Sequence, residues 1–296
     1  MDLEVSESTK PPQPKSSIGL KPELLYLELL KRVLTRTVAT EKYLSMSASH
    51  YGPTKSIFRL ILPWLQRIFR KKNLELVRQY TLNPSLREEG LDWPPEAETM
   101  VGMKRLNNLQ ECVTDVLMKR IPGDLIETGV WRGGSSILMK GVLAVYGDTG
   151  RKVWLADSFA GLPKPDPSTY PVDAGDTLWI ESDVLAVSLE TVKDNFIKYG
   201  LLDERVMFLK GWFKDTLPTA PIHSLSVVRL DGDMYESTIQ ALENLYPKLS
   251  PGGYIIIDDY KLAGCKCAVD DFRRDYEITE VIRDIDRDGV FWQRSS

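Results

Sequence analysis

Carboxylates in this 296-residue chain recur directly after short apolar runs. Glu127 follows Leu125-Ile126, Asp157 ends KVWLAD, Asp231-Gly232-Asp233 ends SVVRLDGD, and Asp258-Asp259 follows Tyr254-Ile255-Ile256-Ile257. Helix caps would explain one or two of these positions, since Asp often follows a strand and opens a helix. They do not explain Asp231, Asp233, Asp258 and Asp259 together, because adjacent uncompensated carboxylates repel one another. A bound cation removes the conflict. Carboxylate-only ligation suits a hard divalent ion, Mg²⁺ foremost, with water and substrate oxygens completing an octahedron. Asp231, Asp258 and Asp259 are the candidate metal aspartates. An ion held there would also bind a substrate hydroxyl and favour its ionised form.

Softer metals want histidine or cysteine, and the chain has two histidines and three cysteines. Cys265-Lys266-Cys267 lacks a second pair and reads as part of a helix. His223, in a Pro221-Ile222-His223-Ser224 turn, reads as a surface residue. Asp233, shortly before Ser237-Thr238, could replace Asp231 as a ligand, but its position favours a cap of the next helix or a support for the metal aspartates. Arg229 is expected to pair with a buried acid. Tyr235 and Tyr260 each follow a carboxylate cluster and read either as lining the acceptor pocket or as partly buried packing residues.

The second stretch with chemical content is 124–136, DLIETGVWRGGSS. An apolar strand turns through Glu127-Thr128-Gly129 and enters a Gly133-Gly134-Ser135-Ser136 run before a helical segment. Glycines allow a tight turn and a close backbone approach to a ligand, and a helix N-terminus offers unpaired N–H groups. Glu127 stands where a dinucleotide fingerprint would place its first glycine, an E-x-G pattern common in S-adenosylmethionine enzymes. Asp157, at the end of the next strand, is suited to accept both ribose hydroxyl protons.

These groups need a scaffold that gathers strand ends. Alternating elements supply one: strands at 124–128, 152–157, 205–209, 226–231 and 254–258, with helices at 135–146, 185–199, 238–249 and 265–273. The predicted fold is α/β, a doubly wound Rossmann-like sheet whose ligands bind beyond the carboxyl ends of the strands. Two further strands, 277–283 and 289–294, alternate polar and apolar residues and are expected as an antiparallel pair at the sheet edge. Ahead of the sheet, 1–20 reads as a disordered tail and 21–120 as a helical N-terminal elaboration, leaving 121–296 as the ligand-binding domain. Helices are expected at 22–37 and 106–119, with loops at 45–55 and 83–98. The basic, aromatic-bearing stretch 56–72 is expected to pack on its own core or across a dimer in preference to a membrane surface, with Pro63 breaking any single helix.

As a set, IETGVWRGGSS, LADSFAGLP, VSLETVKDNF, RLDGDMYEST and PGGYIIIDDY resemble the bacterial macrocin and mycinamicin O-methyltransferase family, over about residues 24–294. The resemblance implies a class I methyltransferase fold, S-adenosylmethionine as donor, Mg²⁺, a hydroxyl (a sugar's in this family) on a small-molecule natural product as acceptor, and an assembly of at least two chains. It implies that Thr99 and Met100 cover the cofactor, and that Glu127, Gly129, Val130, Trp131, Arg132 and Ser135 form the glycine-rich methionine and ribose site. Asp157 matches the ribose acid, with Ser158 and Phe159 beside it near the adenine. Asp231, Asp258 and Asp259 match the metal aspartates, and Asp231 the general base. Some family members place a histidine before VSLE. Here 176–183 reads DTLWIESD, which shifts the burden of proton removal to Asp231.

Composition bounds the alternatives. A net charge of −4 gives no footprint for nucleic acid. The absence of an even cysteine framework suits a reducing cytoplasm, and no apolar run is long enough to span a membrane. Two rival readings remain open: a nicotinamide-dependent oxidoreductase on the same sheet, and a non-catalytic cofactor-binding scaffold. Against the first stand Glu127 and the extra acids at the ends of the fourth and fifth strands; against the second stands the presence of all three metal aspartates.

Overall fold

The computed structural model describes residues 21–40, 42–45, 58–92 and 96–295. The expected tail and most of the expected loop at 45–55 lie outside the described residues. From the amino end the chain forms α1 (Pro22–Leu34), β1 (Tyr43–Ser45), α2 (Phe58–Arg70), β2 (Val77–Gln79), α3 (Pro84–Glu89) and α4 (Met103–Met118). Then come β3 (Asp124–Thr128), α5 (Gly134–Val145), β4 (Val153–Asp157), α6 (Ser182–Leu185), α7 (Leu189–Lys198) and β5 (Val206–Lys210). The last part holds α8 (Phe213–Thr216), β6 (Leu225–Leu230), α9 (Tyr235–Leu245), β7 (Leu249–Ile257), α10 (Ala263–Asp275), β8 (Arg283–Asp284) and β9 (Val290–Gln293).

Seven strands make one sheet in the order β5-β4-β3-β6-β7-β9-β8. The five from β3 to β7 run parallel, β9 is antiparallel to β7, and β8 is antiparallel to β9. Strand order reverses between β3 and β6, and a crevice opens at such a switch point because successive connections leave in opposite directions.

Period-two alternation builds the two faces. Leu125, Val153, Leu155, Val227 and Ile256 pack with α1, α4, α5 and α7, whereas Ile126, Trp154, Ala156, Val228 and Ile257 pack with α9 and α10. Each fully buried side chain of this size contributes about 1.5–3 kcal/mol. Trp292 on β9 closes the second layer against Tyr246 and Phe272. Among the described residues no helix is long and apolar enough to cross a membrane.

Several elements differ from the sequence reading. The segment 83–98 is not all loop: Asn83 accepts from the N–H groups of Ser85 and Leu86, Pro84 opens α3, and Gly90 ends it at φ 72°. That Asn-Pro start and glycine stop are a readable helix signal. The helix α2 runs through Pro63 without interruption. Proline there forfeits one donor near the helix start, a cost the remaining turns outlast. Among the described residues, Trp64, 62% exposed, and Ile68 stand exposed on α2. The expected helix 185–199 is divided, because Ser188 caps a new helix by accepting from Thr191 N–H. At the edge, β8 keeps only two residues; Glu277 adopts a left-handed φ of 52° after α10, which starts that segment as a turn. The short antiparallel pair of β1 and β2 was not foreseen.

Candidate active site

The turn after β3 is shaped by how closely β6 approaches it. Gly129 has φ +78°, and a Cβ there would lie 1.6 Å from the Asp231 carbonyl oxygen. The contact follows from the ladder: Asp231 N–H donates to Thr128 O at 2.9 Å, and Gly129 N–H to Ala156 O at 3.0 Å. Glycine at 129 thus lets the two loops meet at the switch point. Gly134 plays the same part for segment 97–101, since its N–H donates to Glu98 O at 2.9 Å and a Cβ would meet that oxygen and Thr99 Cβ at 2.6 Å. Buried Arg87 on α3 holds the far side of the segment by donating to the carbonyls of Met100 and Val101.

Beneath the loop lies a buried ion network. Sheet register places Glu127 beside Arg229. The Arg229 guanidinium reaches Glu127 at 2.6 Å, Asp258 at 2.6 Å and Asp231 at 2.9 Å. Glu127 is 1% exposed and also accepts from the Ser136 hydroxyl. Burial outweighs these partners and pushes its pKa up to about 7. Arg105, in the first turn of α4, binds Asp258 at 2.5 Å and Asp286 at 2.8 Å. Asp258 is thus gripped by two guanidiniums, which hold its carboxyl below the usual range despite burial.

Asp231, Asp258 and Asp259 each bring a carboxylate oxygen within 4.8 Å of the others. Asp259 also accepts from Asp233 N–H at 3.3 Å. Burial and mutual repulsion raise the pKa of Asp231 and raise that of Asp259 well above the ordinary value. Asp233, at φ 58°, is pushed up to about 8 by burial and by the charges of Asp231, Asp258 and Asp176. The arginines therefore leave negative charge uncompensated, and the donor set is all hard oxygen. These residues fit a divalent cation such as Mg²⁺.

Two hollows open over this turn. One is lined by Gly129, Asp157, Ser158, Gly211, Trp212 and Phe213. The other is lined by Thr99, Arg105, Glu127, Val130, Ser135, Leu178, Asp258, Asp259 and Lys261. Met100, Trp131, Leu185, Asp231 and Asp233 belong to both walls. Asp157 accepts from the N–H groups of Val130 and Phe159, each at 2.6 Å, and burial still raises its pKa.

Two residues of the expected cofactor set lie elsewhere. The Phe159 side chain is buried in the core near Phe208, and only its backbone serves Asp157. Arg132 lines neither hollow; it donates to Ala97 O and lies over the Trp131 ring. Residue type and spacing give no direction for a side chain, and both turned away. Asp233 does not cap α9. Asp173, from the loop after β4, does so by accepting from Tyr235 N–H at 2.8 Å and Glu236 N–H at 2.9 Å. Tyr235 and Tyr260 line neither hollow, donating to Asp271 and Asp270 instead. His223 is exposed just before β6, at the opposite end of the strand from Asp231. Sequence reasoning missed Arg105, Asp173 and the Trp212-Phe213 pair. Only the last carried a local signal, an aromatic pair after a glycine at a strand's carboxyl end.

Residues 23–294 match the family described as Macrocin-O-methyltransferase (TylF). The 8-demethyl-8-(2,3-dimethoxy-alpha-L-rhamnosyl)-tetracenomycin-C 4'-O-methyltransferase of Streptomyces olivaceus is 58% identical over 207 residues, 70% of this chain and 79% of the relative. The demethyldecarbamoylnovobiocin O-methyltransferase of Streptomyces niveus is 54% identical over 219 residues, 74% of this chain and 84% of the relative. The solved structure of the O-methyltransferase NovP is 46% identical, superposes with a TM-score of 0.77, and covers 93% of this chain and 100% of its own.

Proposed function

From the premise that the chain belongs to the macrocin-O-methyltransferase family, we propose that it transfers the methyl group of S-adenosylmethionine to a sugar hydroxyl of a glycosylated secondary metabolite, with Mg²⁺ bound at Asp231, Asp258 and Asp259. The observation that carries this reading is the position of Asp231. Its carboxylate stands on the wall shared by the two hollows, within reach of the other metal aspartates. The hollow with Asp157, Trp212 and Phe213 is assigned to the donor: an acid for ribose hydroxyls and aromatic surface for adenine. Thr99, Val130 and Ser135 then lie toward the methionine end, and the remaining space above Asp258 and Asp259 receives the acceptor.

In the transfer the acceptor oxygen forms a bond to the methyl carbon as the carbon–sulfur bond breaks, and the hydroxyl proton leaves. Much of the rate comes from holding oxygen, carbon and sulfur in line. Asp231 accepts the proton as general base, its carboxylate standing on the wall shared by the two hollows. Arg229 fixes Asp231 and Asp258 from below, and Arg105 fixes Asp258 from the side, so the acidic side chains keep their places. A bound Mg²⁺ would supply charge that favours the ionised hydroxyl. The family resemblance also supports an assembly of at least two chains, and the exposed Trp64 and Ile68 of α2 offer a face for it.

The test combines ligand stabilisation with turnover. S-adenosylhomocysteine at about a hundred times its dissociation constant should add about 2.7 kcal/mol of stability to wild type and to Asp231→Asn. Mg²⁺ should stabilise wild type, EDTA should reverse it, and Asp231→Asn should respond weakly. With a panel of rhamnosylated aglycones and demethyldecarbamoylnovobiocin, Asp231→Asn should lose about 10²–10⁴ in kcat. No shift with S-adenosylhomocysteine, or a shift with NAD instead, would overturn the reading. A donor shift with no Mg²⁺ response would remove the metal alone.

A further inference from the structure

Between β4 and α7 the chain crosses the mouth of both hollows, and it is tied down at two points. One tie is the Trp131 indole N–H, which donates to Val184 O at 2.9 Å. The other is Asp173. Although it sits in a long loop, Asp173 is only 3% exposed. Its Oδ1 accepts from Tyr235 N–H at 2.8 Å and its Oδ2 from Glu236 N–H at 2.9 Å. Those amides open α9, directly after the turn that carries Asp231 and Asp233. A carboxylate on the first N–H groups of a helix is favoured by hydrogen bonding and by the helix dipole together. No residue at the helix's own N-cap supplies a side-chain bond, so the cap comes from 62 residues away.

The seat for this carboxylate is moulded by a second helix. Gly264, in the first turn of α10, would place a Cβ 2.8 Å from Asp173 Oδ1 and 2.9 Å from Tyr235 N. Its φ does not lie in the left-handed region, so alanine would suit the helix itself. Glycine here serves the loop. From the anchored Asp173 the chain turns tightly, Asp176 N–H donating to Asp173 O and Leu178 N–H to Asp176 Oδ1. That turn sets Leu178 over the Asp231–Asp259 hollow, and Leu185 follows at the Trp131 tie.

We propose that Asp173 is a positioning residue for the acceptor, a tether that fastens the 174–185 segment to the amino end of α9 and holds Leu178 above the metal aspartates. The assignment of that hollow to the acceptor rests on the function proposed above; the tether itself does not. Without it the cover over the acceptor side loosens, while the donor-side loop, held by Asp157 and by Ser158 donating to Gly161 O, stays in place.

Three variants test this: Asp173→Ala, Asp173→Asn, which keeps one accepting oxygen, and Gly264→Ala, which crowds the carboxylate and the Tyr235 amide from α10 while leaving the loop's own residues unchanged. Hydrogen exchange by mass spectrometry should show amides 174–183 exchanging at least tenfold faster in Asp173→Ala and Gly264→Ala, and to a lesser degree in Asp173→Asn. Peptides from β3 to β7 should keep wild-type rates. With an aglycone that turns over in the panel above, the acceptor KM should rise at least tenfold, with kcat within threefold and the S-adenosylmethionine KM within twofold. Unchanged exchange in 174–183, or faster exchange throughout the sheet, overturns the tether. A donor KM that rises with the acceptor KM overturns its assignment to the acceptor. Failure of wild type to bind S-adenosylhomocysteine would strike the proposed function, and the exchange measurement would still decide the tether.

Discussion

Removing the Arg229 guanidinium is the most demanding single perturbation of this site. In Arg229→Met the side chain keeps its length and apolar stem, but three carboxylates lose their shared partner: Glu127 and Asp258 at 2.6 Å and Asp231 at 2.9 Å. Arg229 and Glu127 are 2% and 1% exposed, so water cannot replace the cation. Deleting one member of a buried pair costs about 3–5 kcal/mol, because the remaining charge stays desolvated. Taking about 4 kcal/mol and an m-value of about 3 kcal/mol/M for urea, the midpoint should fall by about 1.3 M. Adding Glu127→Gln removes one stranded charge and should recover about half of that loss. The deficit should also depend on pH. Burial already places Glu127 at about 7, and loss of Arg229 raises it further. A carboxyl whose folded pKa exceeds its unfolded value, about 4.3, stabilises the fold below that value and loses the contribution as pH rises through the folded one. The gap to wild type should therefore be smallest near pH 4–5 and widest above about pH 8. A midpoint change under about 0.3 M, or a gap that widens toward acid, would refute the network as drawn.

Other expectations follow from single residues. Gly129→Ala drives a Cβ into the Asp231 carbonyl, which no side-chain movement relieves, and should cost more than about 4 kcal/mol or abolish folding. The control is Gly147→Ala: φ is also positive, but nothing lies within 4 Å, so about 1–2 kcal/mol is expected in the same thermal melts. Asn83→Ala removes the cap of α3 and should lower Tm by about 2–4 °C, from a loss of about 1 kcal/mol. A colorimetric thiol reagent should label Cys267 alone in the native protein, since Cys112 and Cys265 are buried and burial raises both thiols. Two fast-reacting thiols would contradict the packing of α4 or of α10.

Much of the sheet was legible because each apolar run carries its own stop. Asp124–Thr128 has the bounds read from sequence, and 153–157 differs by one residue, since a buried parallel strand must begin and end where polar residues meet solvent or ligand. The gathering of Asp231, Asp258 and Asp259 was legible for the same reason: strand ends in this topology share one edge. What stayed hidden depends on partners far away in the chain. Arg105 meets Asp258 across 153 residues, and nothing in its own helix marks it. The cap of α9 was sought at Asp233, next to the helix, and came from Asp173. Phe159 and Asp157 are two residues apart, yet one ring joined the core while one carboxylate faced the hollow, a choice made by backbone angles that spacing does not encode. The helix α3 is different: Asn83, Pro84 and Gly90 announce it, and the neighbouring prolines drew attention away.

The carbonyl of Glu98 resting on the first amide of α5 has a consequence for which small molecules the loop admits. Glycine-rich turns that receive dinucleotides leave such amides open to a diphosphate bridge. Here Gly134 N–H is already taken by Glu98, and Val130 N–H by Asp157. Glu127, Asp157 and Asp231 line the hollows around them, with Arg105, Lys164, Lys214 and Lys261 also on those walls. A phosphate oxygen at about 6 Å from one such charge meets about 3 kcal/mol of repulsion at an effective dielectric constant of about 20. A sulfonium ligand with ribose hydroxyls meets the opposite sign. With those two amides occupied and carboxylates beside them, a diphosphate bridge is disfavoured at this turn.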